Sequence, residues 1–146
     1  MTRRTAIAAG LYAINTVVSL ILGLIYLGRR EFMPYHADAL GVEWAAVGAE
    51  LQVLLVALMD VAGAGWIALG IASAVLIAIP MRRGERWAGF LLPSLMLIFY
   101  VPTLMATLAV LDGTPATPPW YGNALACVTA VLAFVIHAPW RSLSNG

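Results

Sequence analysis

A chain of 146 residues that is 62% hydrophobic and only 10% charged is too apolar for a water-soluble domain, where charged residues make up about a quarter, and is read as an integral membrane protein. Its formal net charge of +1 gives no sign of a nucleic-acid partner, so the informative quantity is where the charges fall along the chain. The single cysteine, Cys127, excludes an intrachain disulfide and a thiol redox pair, and with them the quinone-linked disulfide enzymes, some of which are also four-helix membrane proteins.

The first segment, residues 5–28, holds 24 residues without a charge and would reach about 36 Å as a helix, enough to cross a hydrocarbon core of roughly 30 Å. It lacks a small-x-small cleavage site before Arg29 and reads as an uncleaved span. Asn15, Thr16 and Ser19 near its middle are expected to bond a neighbouring helix or their own backbone. Asn15 lining a ligand cavity is the alternative.

Residues 29–50 carry Arg29 and Arg30 against Glu31, Asp38, Glu43 and Glu50, with His36 among them. Pro34 should begin or break a helix, residues 37–40 followed by Gly41 read as one helical turn with its C-cap, and Phe32, Tyr35 and Trp44 suit a membrane interface. This is an amphipathic cap lying on the membrane surface.

The second span, residues 51–80, is too long: 30 residues make about 45 Å of helix, where roughly 20 residues suffice. With one boundary near Pro80, the other falls near Val61, which puts Asp60, the one charge inside any of the four segments, at the margin of the hydrocarbon. Residues 51–59 then project beyond it while staying apolar apart from Gln52, and the cap is the nearest cover. Asp60, Gly63, Gly70 and Ala74 fall within about a quarter of the helix circumference, so a close helix contact is expected on the small side chains, with Ile67 needing a notch in its partner.

Residues 82–86, Arg-Arg-Gly-Glu-Arg, form a tight basic turn. The third span, residues 87–111, contains Pro93 and Pro102, each of which removes a backbone donor; Ser94, Tyr100, Thr103 and Thr107 are the local groups able to serve the freed carbonyls. Residues 112–119 are a loop by composition. The fourth span, residues 120–140, starts at the interfacial pair Trp120 and Tyr121 and ends at Pro139 and Trp140, with His137 an interfacial side chain.

Arginine placement sets the orientation. Arg3, Arg4, Arg82, Arg83, Arg86 and Arg141 fall on one side and only Arg29 and Arg30 on the other, so both termini are expected to be cytoplasmic. That bias argues against dual-topology antiparallel dimers. The fold class expected is an all-α membrane protein, one domain over residues 1–146, made of a four-helix transmembrane bundle with an outer cap between the first two spans.

A carboxylate at hydrocarbon depth is a functional hypothesis by default. Tyr26, Thr107, Arg29 and Arg30 are expected at the depth of Asp60. The favoured reading is an ion pair between Asp60 and one of the arginines that fixes the cap to the bundle; the other is a ligand or proton site. His36 with the scattered carboxylates matches no metal spacing, and the chain holds no nucleophile elbow, zinc-protease motif or phosphate loop. No catalytic residue, metal or cofactor is therefore assigned.

The layout as a whole, with a second span ending in Arg82-Arg83-Gly84-Glu85-Arg86-Trp87, resembles the small DoxX-like bacterial membrane proteins and their four-span relatives. The resemblance implies a multi-pass protein of a bacterial inner membrane, in a homo-oligomer or beside a larger redox or transport partner. The expectation is a non-enzymatic accessory subunit or a binder of a small hydrophobic molecule, lipid-like or quinone-like. The alternatives are an enzyme on a lipid-like substrate, as sterol isomerases of similar small bundles suggest, or a proton-coupled transporter, both using Asp60.

Overall fold

The computed structural model describes residues 2–141. Helix α1 runs over Arg3–Gly28, the cap contains α2 (Pro34–Leu40) and a single 3-10 turn (Trp44–Ala46), α3 covers Ala49–Leu76 and continues as a π turn over Ile77–Met81, α4 covers Arg86–Gly113 and α5 covers Trp120–His137. Four of these, α1, α3 with its π turn, α4 and α5, are long and apolar enough to cross a membrane. Helices satisfy their own backbone groups, which is what a medium without water demands.

Local chemistry places the ends. Thr2 caps α1, its Oγ1 accepting from the Thr5 N–H at 3.2 Å. Pro34 opens α2, and Gly41 closes it at φ 67° with its N–H bonded to Ala37 O. At the far end of α3, Pro80 has no N–H to continue the α pattern and its ring crowds the carbonyl four residues back, so the helix widens into the π turn. Gly84 at φ 76° then reverses the chain, with the Glu85 N–H donating to Pro80 O at 2.9 Å and the Trp87 indole donating to Glu85 Oε2 at 2.6 Å. α5 stops at His137, short of the expected 140, because Pro139 disfavours helical backbone in the residue before it.

Around the bundle the order is α3, α1, α5, α4. α1 and α3 approach most closely. A Cβ added to Gly63 would stand 2.9 Å from Leu27 Cγ and 3.1 Å from Gly23 O, and one added to Gly70 would stand 2.6 Å from Leu20 Cδ2. The notch that Ile67 needs is Gly23 of α1, where an added Cβ would meet Ile67 Cγ1 at 2.7 Å. Ala74 does not share this face: it is exposed, and Ser73 is buried instead. The buried residues of α3, Met59, Gly63, Trp66, Leu69, Gly70, Ser73 and Leu76, form a face broader than the small-residue stripe, and at this level it is Ser73 that turns inward.

Where α3 meets α4 the contact is made by rings, Trp66 lying 4.6 Å from Phe99 and 5.7 Å from Tyr100 between centroids. Mid-bundle, polar groups tie α1 to α4 and α5. Asn15 Nδ2 donates to Ala126 O at 3.2 Å and Thr129 Oγ1 donates to Asn15 Oδ1 at 3.1 Å. Ser19 Oγ donates to Asn15 O at 2.8 Å and lies 2.8 Å from the Tyr100 hydroxyl. Tyr100 therefore serves α1, whereas Ser94, Thr103 and Thr107 bond carbonyls of their own helix.

The cap packs where the sequence requires cover. Gly63 faces Leu27 and α1 ends at Gly28, so residues 49–61 of α3 rise about 20 Å beyond it. Phe32, Met33 and Val47 of the cap bury Met59 in a second apolar cluster, against Tyr26 and Leu55, and Gln52 Nε2 donates to Trp44 O at 2.8 Å. The opposite stripe of this overhang, Leu51, Leu54, Leu58 and Val61, stays exposed.

The seam gives a direct test by thermal unfolding in detergent. Gly23→Ala, which collides with backbone and with Ile67, is expected to cost on the order of 1 to 3 kcal/mol, as overpacked sites do, and Gly63→Leu and Gly70→Leu at least as much. Gly10→Ala, with nothing within 4 Å of the new Cβ, is expected to stabilise α1 by about 0.5 to 1 kcal/mol. Equal effects at Gly10 and Gly23 would show that the close contact is not formed.

Candidate functional site

Unequal helix lengths open a cavity at the cap end. Ala126 and Thr129 of α5 are level with Asn15 through their hydrogen bonds, and α5 begins only at Trp120, about 9 Å above Ala126. α1 continues about 20 Å beyond Asn15, to Gly28, and α4 runs on to Gly113. The corner between α1 and α4 is left unfilled by α5, and the cap crosses over it. A cavity of about 400 Å³ results, walled by α1, α4 and the start of α5, with Trp66 of α3 reaching in and Met33, Pro34 and Tyr35 of the cap as its roof.

Its lining is mostly aliphatic and aromatic, and none of its residues is Asp, Glu, His, Lys or Arg. The polar exceptions are specific. Tyr26 from the end of α1 and Tyr35 from the cap bring their hydroxyls to 3.2 Å of each other. Burial, reinforced by the hydrogen bond it shares with Tyr26, pushes the Tyr35 phenol well above its ordinary range, so it stays protonated. Asn123 stands one turn into α5; Thr103 and Thr107 line the α4 wall, their protons committed to the carbonyls of Phe99 and of Thr103 and Leu104.

Two of the residues grouped with Asp60 by depth, Tyr26 and Thr107, line this cavity; Asp60 does not. Asp60 lies in a separate shallow groove with Arg30, Trp44, Gln52, Val53, Val56 and Ala57. The expected ion pair is not formed: among the described residues neither Arg29 nor Arg30 comes within 4.0 Å of its carboxylate. Placing Asp60 at the end of the span was enough to bring it beside Arg30, but at that margin water solvates both charges, and little is gained by bringing them into contact.

His36 serves the cap. Its Nδ1 accepts from the Met33 N–H at 3.3 Å, and its ring stands edge-on to Tyr35, 4.3 Å between centroids. Burial lowers its pKa, which favours the neutral imidazole that this acceptor role needs. Gly63 and Gly70 are packing residues on α1, as above. Among the described residues no group of three or more His, Cys, Asp or Glu side chains is gathered to hold a metal ion.

Sequence reasoning passed over Tyr35, Trp66, Thr103 and Asn123 as members of a site. Tyr35 read only as an interfacial ring. The available signal was the small pair Gly122 and Asn123 at the head of the last span, directly after the proline-rich loop that delays its start.

The groove geometry predicts the behaviour of Asp60. Asp60→Asn should change stability by no more than about 0.5 kcal/mol, and its effect should add to that of Arg30→Gln without coupling, as for groups sharing no contact. A coupling energy above about 1 kcal/mol in the double-variant cycle would restore the ion pair.

Comparison with protein-family models, with curated proteins and with solved structures finds no match to this chain.

Proposed function

We propose that this protein is a non-enzymatic membrane binder of a small hydrophobic molecule, held in the cavity beneath the cap. The observation that carries the reading is the cavity: about 400 Å³ falls in the range of ligand pockets, and its apolar walls with a few convergent polar groups are the usual composition of one. Five of its lining residues, Val18, Ile25, Pro34, Pro119 and Gly122, are exposed, so it opens along the flank where α1 and the start of α5 meet the hydrocarbon, while the cap screens it from water. Proton-transfer readings centred on Asp60 lose support, since the carboxylate faces a different surface.

The six-to-two arginine bias favours cytoplasmic termini and a cap on the outer face, and the resemblance to DoxX-like proteins favours a bacterial inner membrane and an accessory place beside a larger partner or a second copy. A reporter fused after residue 146 should be active only when it requires the cytoplasm; activity confined to the periplasm would reverse the orientation.

Filling the cavity tests the binding itself. A Cβ at Gly122 meets nothing within 4 Å, so Gly122→Leu should preserve or raise the stability of α5, by up to about 1 kcal/mol from helix propensity, while lowering the amount of lipid that co-purifies, as measured by extraction and mass spectrometry. Thr103→Trp, from the opposite wall, should lower it further. If neither variant changes the bound lipid, the cavity is not the site.

A further inference from the structure

We infer that the molecule this cavity takes is a lipid whose head is a single uncharged hydrogen-bonding group, a hydroxyl or ester carbonyl of the long-chain alcohol or simple ester kind, and not a carboxylate or a phosphate. The inference rests on the reading of the cavity as a binding site and adds the chemistry of its occupant.

Charge decides first. No cationic side chain lines the cavity, so an anionic head would be drawn out of water with no counter-charge, the costliest way to bury a group. An ammonium head meets the same difficulty, because no carboxylate lines the cavity either. Arg30 and Asp60, which are close enough in sequence to have supplied those charges, line the separate groove.

Counting protons then describes the head. Tyr26 and Tyr35 own two O–H groups and share one hydrogen bond between them, which leaves one donor unspent, and burial keeps the Tyr35 phenol protonated. Asn123 contributes an amide able both to donate and to accept. Thr103 and Thr107 have given their protons to the backbone and offer only lone pairs. The cavity can therefore give at least one hydrogen bond to a neutral oxygen and take one from a hydroxyl. A pure hydrocarbon would leave these groups with no partner, at the usual penalty for buried polar atoms.

Size and exit complete the description. At about 30 Å³ per non-hydrogen atom, the share of a water molecule in the liquid, a volume near 400 Å³ holds about 13 such atoms: a compact head and some ten carbons. Val18 and Ile25 of the α1 wall line the cavity while 43% and 42% exposed, so a longer chain can run past this wall into the bilayer.

The test uses the full chain in bilayer nanodiscs and two photoactivatable probes of equal length, a long-chain alcohol and the matching fatty acid, each with a mid-chain diazirine, with labelled residues mapped by mass spectrometry. At about pH 10, where the acid is ionised even though partial desolvation at the bilayer raises its carboxyl pKa, the alcohol should label the cavity walls more than about tenfold over it. Acidification to about pH 4, which protonates the fatty acid, should remove the difference, since the neutral acid presents the same kind of head. Replacing both Tyr26 and Tyr35 by Phe should lower alcohol labelling about fivefold, the order set by one lost hydrogen bond. Should that variant fail to fold, the pH comparison on the unaltered chain decides alone. Ionised acid labelling the cavity as strongly as the alcohol, or alcohol labelling untouched by the two substitutions in a folded variant, overturns the inference and leaves the cavity a binding site. Absence of labelling by either probe overturns both.

Discussion

The backbone-to-backbone approach of α1 and α3 at Gly23 and Gly63 fixes the register on which the cap end depends. With no side chain at either position, Ile67 sinks into α1 and the two helices lock with Gly63 level with Leu27. Because α1 ends one residue later, the chain must leave the bundle while α3 still has about thirteen residues to climb, and the flank of that overhang is an apolar surface directly within reach. The cap forms there, and its aromatic and methionine side chains cover Met59.

A second tie, Asn15 to Ala126 and Thr129, does for α5 what the glycines do for α3. In a bilayer there is no hydrophobic gain in bringing helices together, so specific contacts of these two kinds set the arrangement. Asn15 fixes α5 at one height, and the loop of residues 114–119 starts it late. The cavity is the difference between where α5 begins and where α1 and α4 end. Its polar lining is sparse because the hydroxyls of Ser19 and Thr129, and that of Tyr100 in the cavity wall, are already engaged in holding the bundle.

How far the amino-acid sequence revealed this depends on the range of the physics. Four spans, the excess length of α3 and its need for cover follow from local composition and the rise of a helix, and these features are present in the fold. The small-residue face was legible at Gly63 and Gly70 and failed at Ala74, because which residues turn inward at each level depends on where the neighbouring helices lie and not on the helix period alone. The Asp60 pair was inferred from equal depth, which does bring Arg30 into the same groove but does not close the contact, because depth says nothing of the water that solvates both charges at that margin. The cavity was not legible at all. It arises from heights set by contacts between residues about 80 to 114 apart in the chain, and no window of sequence contains such a difference.

The shortness of α5 reaches beyond the protein. Its 18 residues measure about 27 Å, against a hydrocarbon layer of roughly 30 Å, and a span too short for its bilayer draws the surrounding leaflets inward. A bilayer that adapts by thinning would do so along α5, beside the proposed mouth of the cavity, and a chain leaving the leaflet there would give up less packing than beside the longer spans.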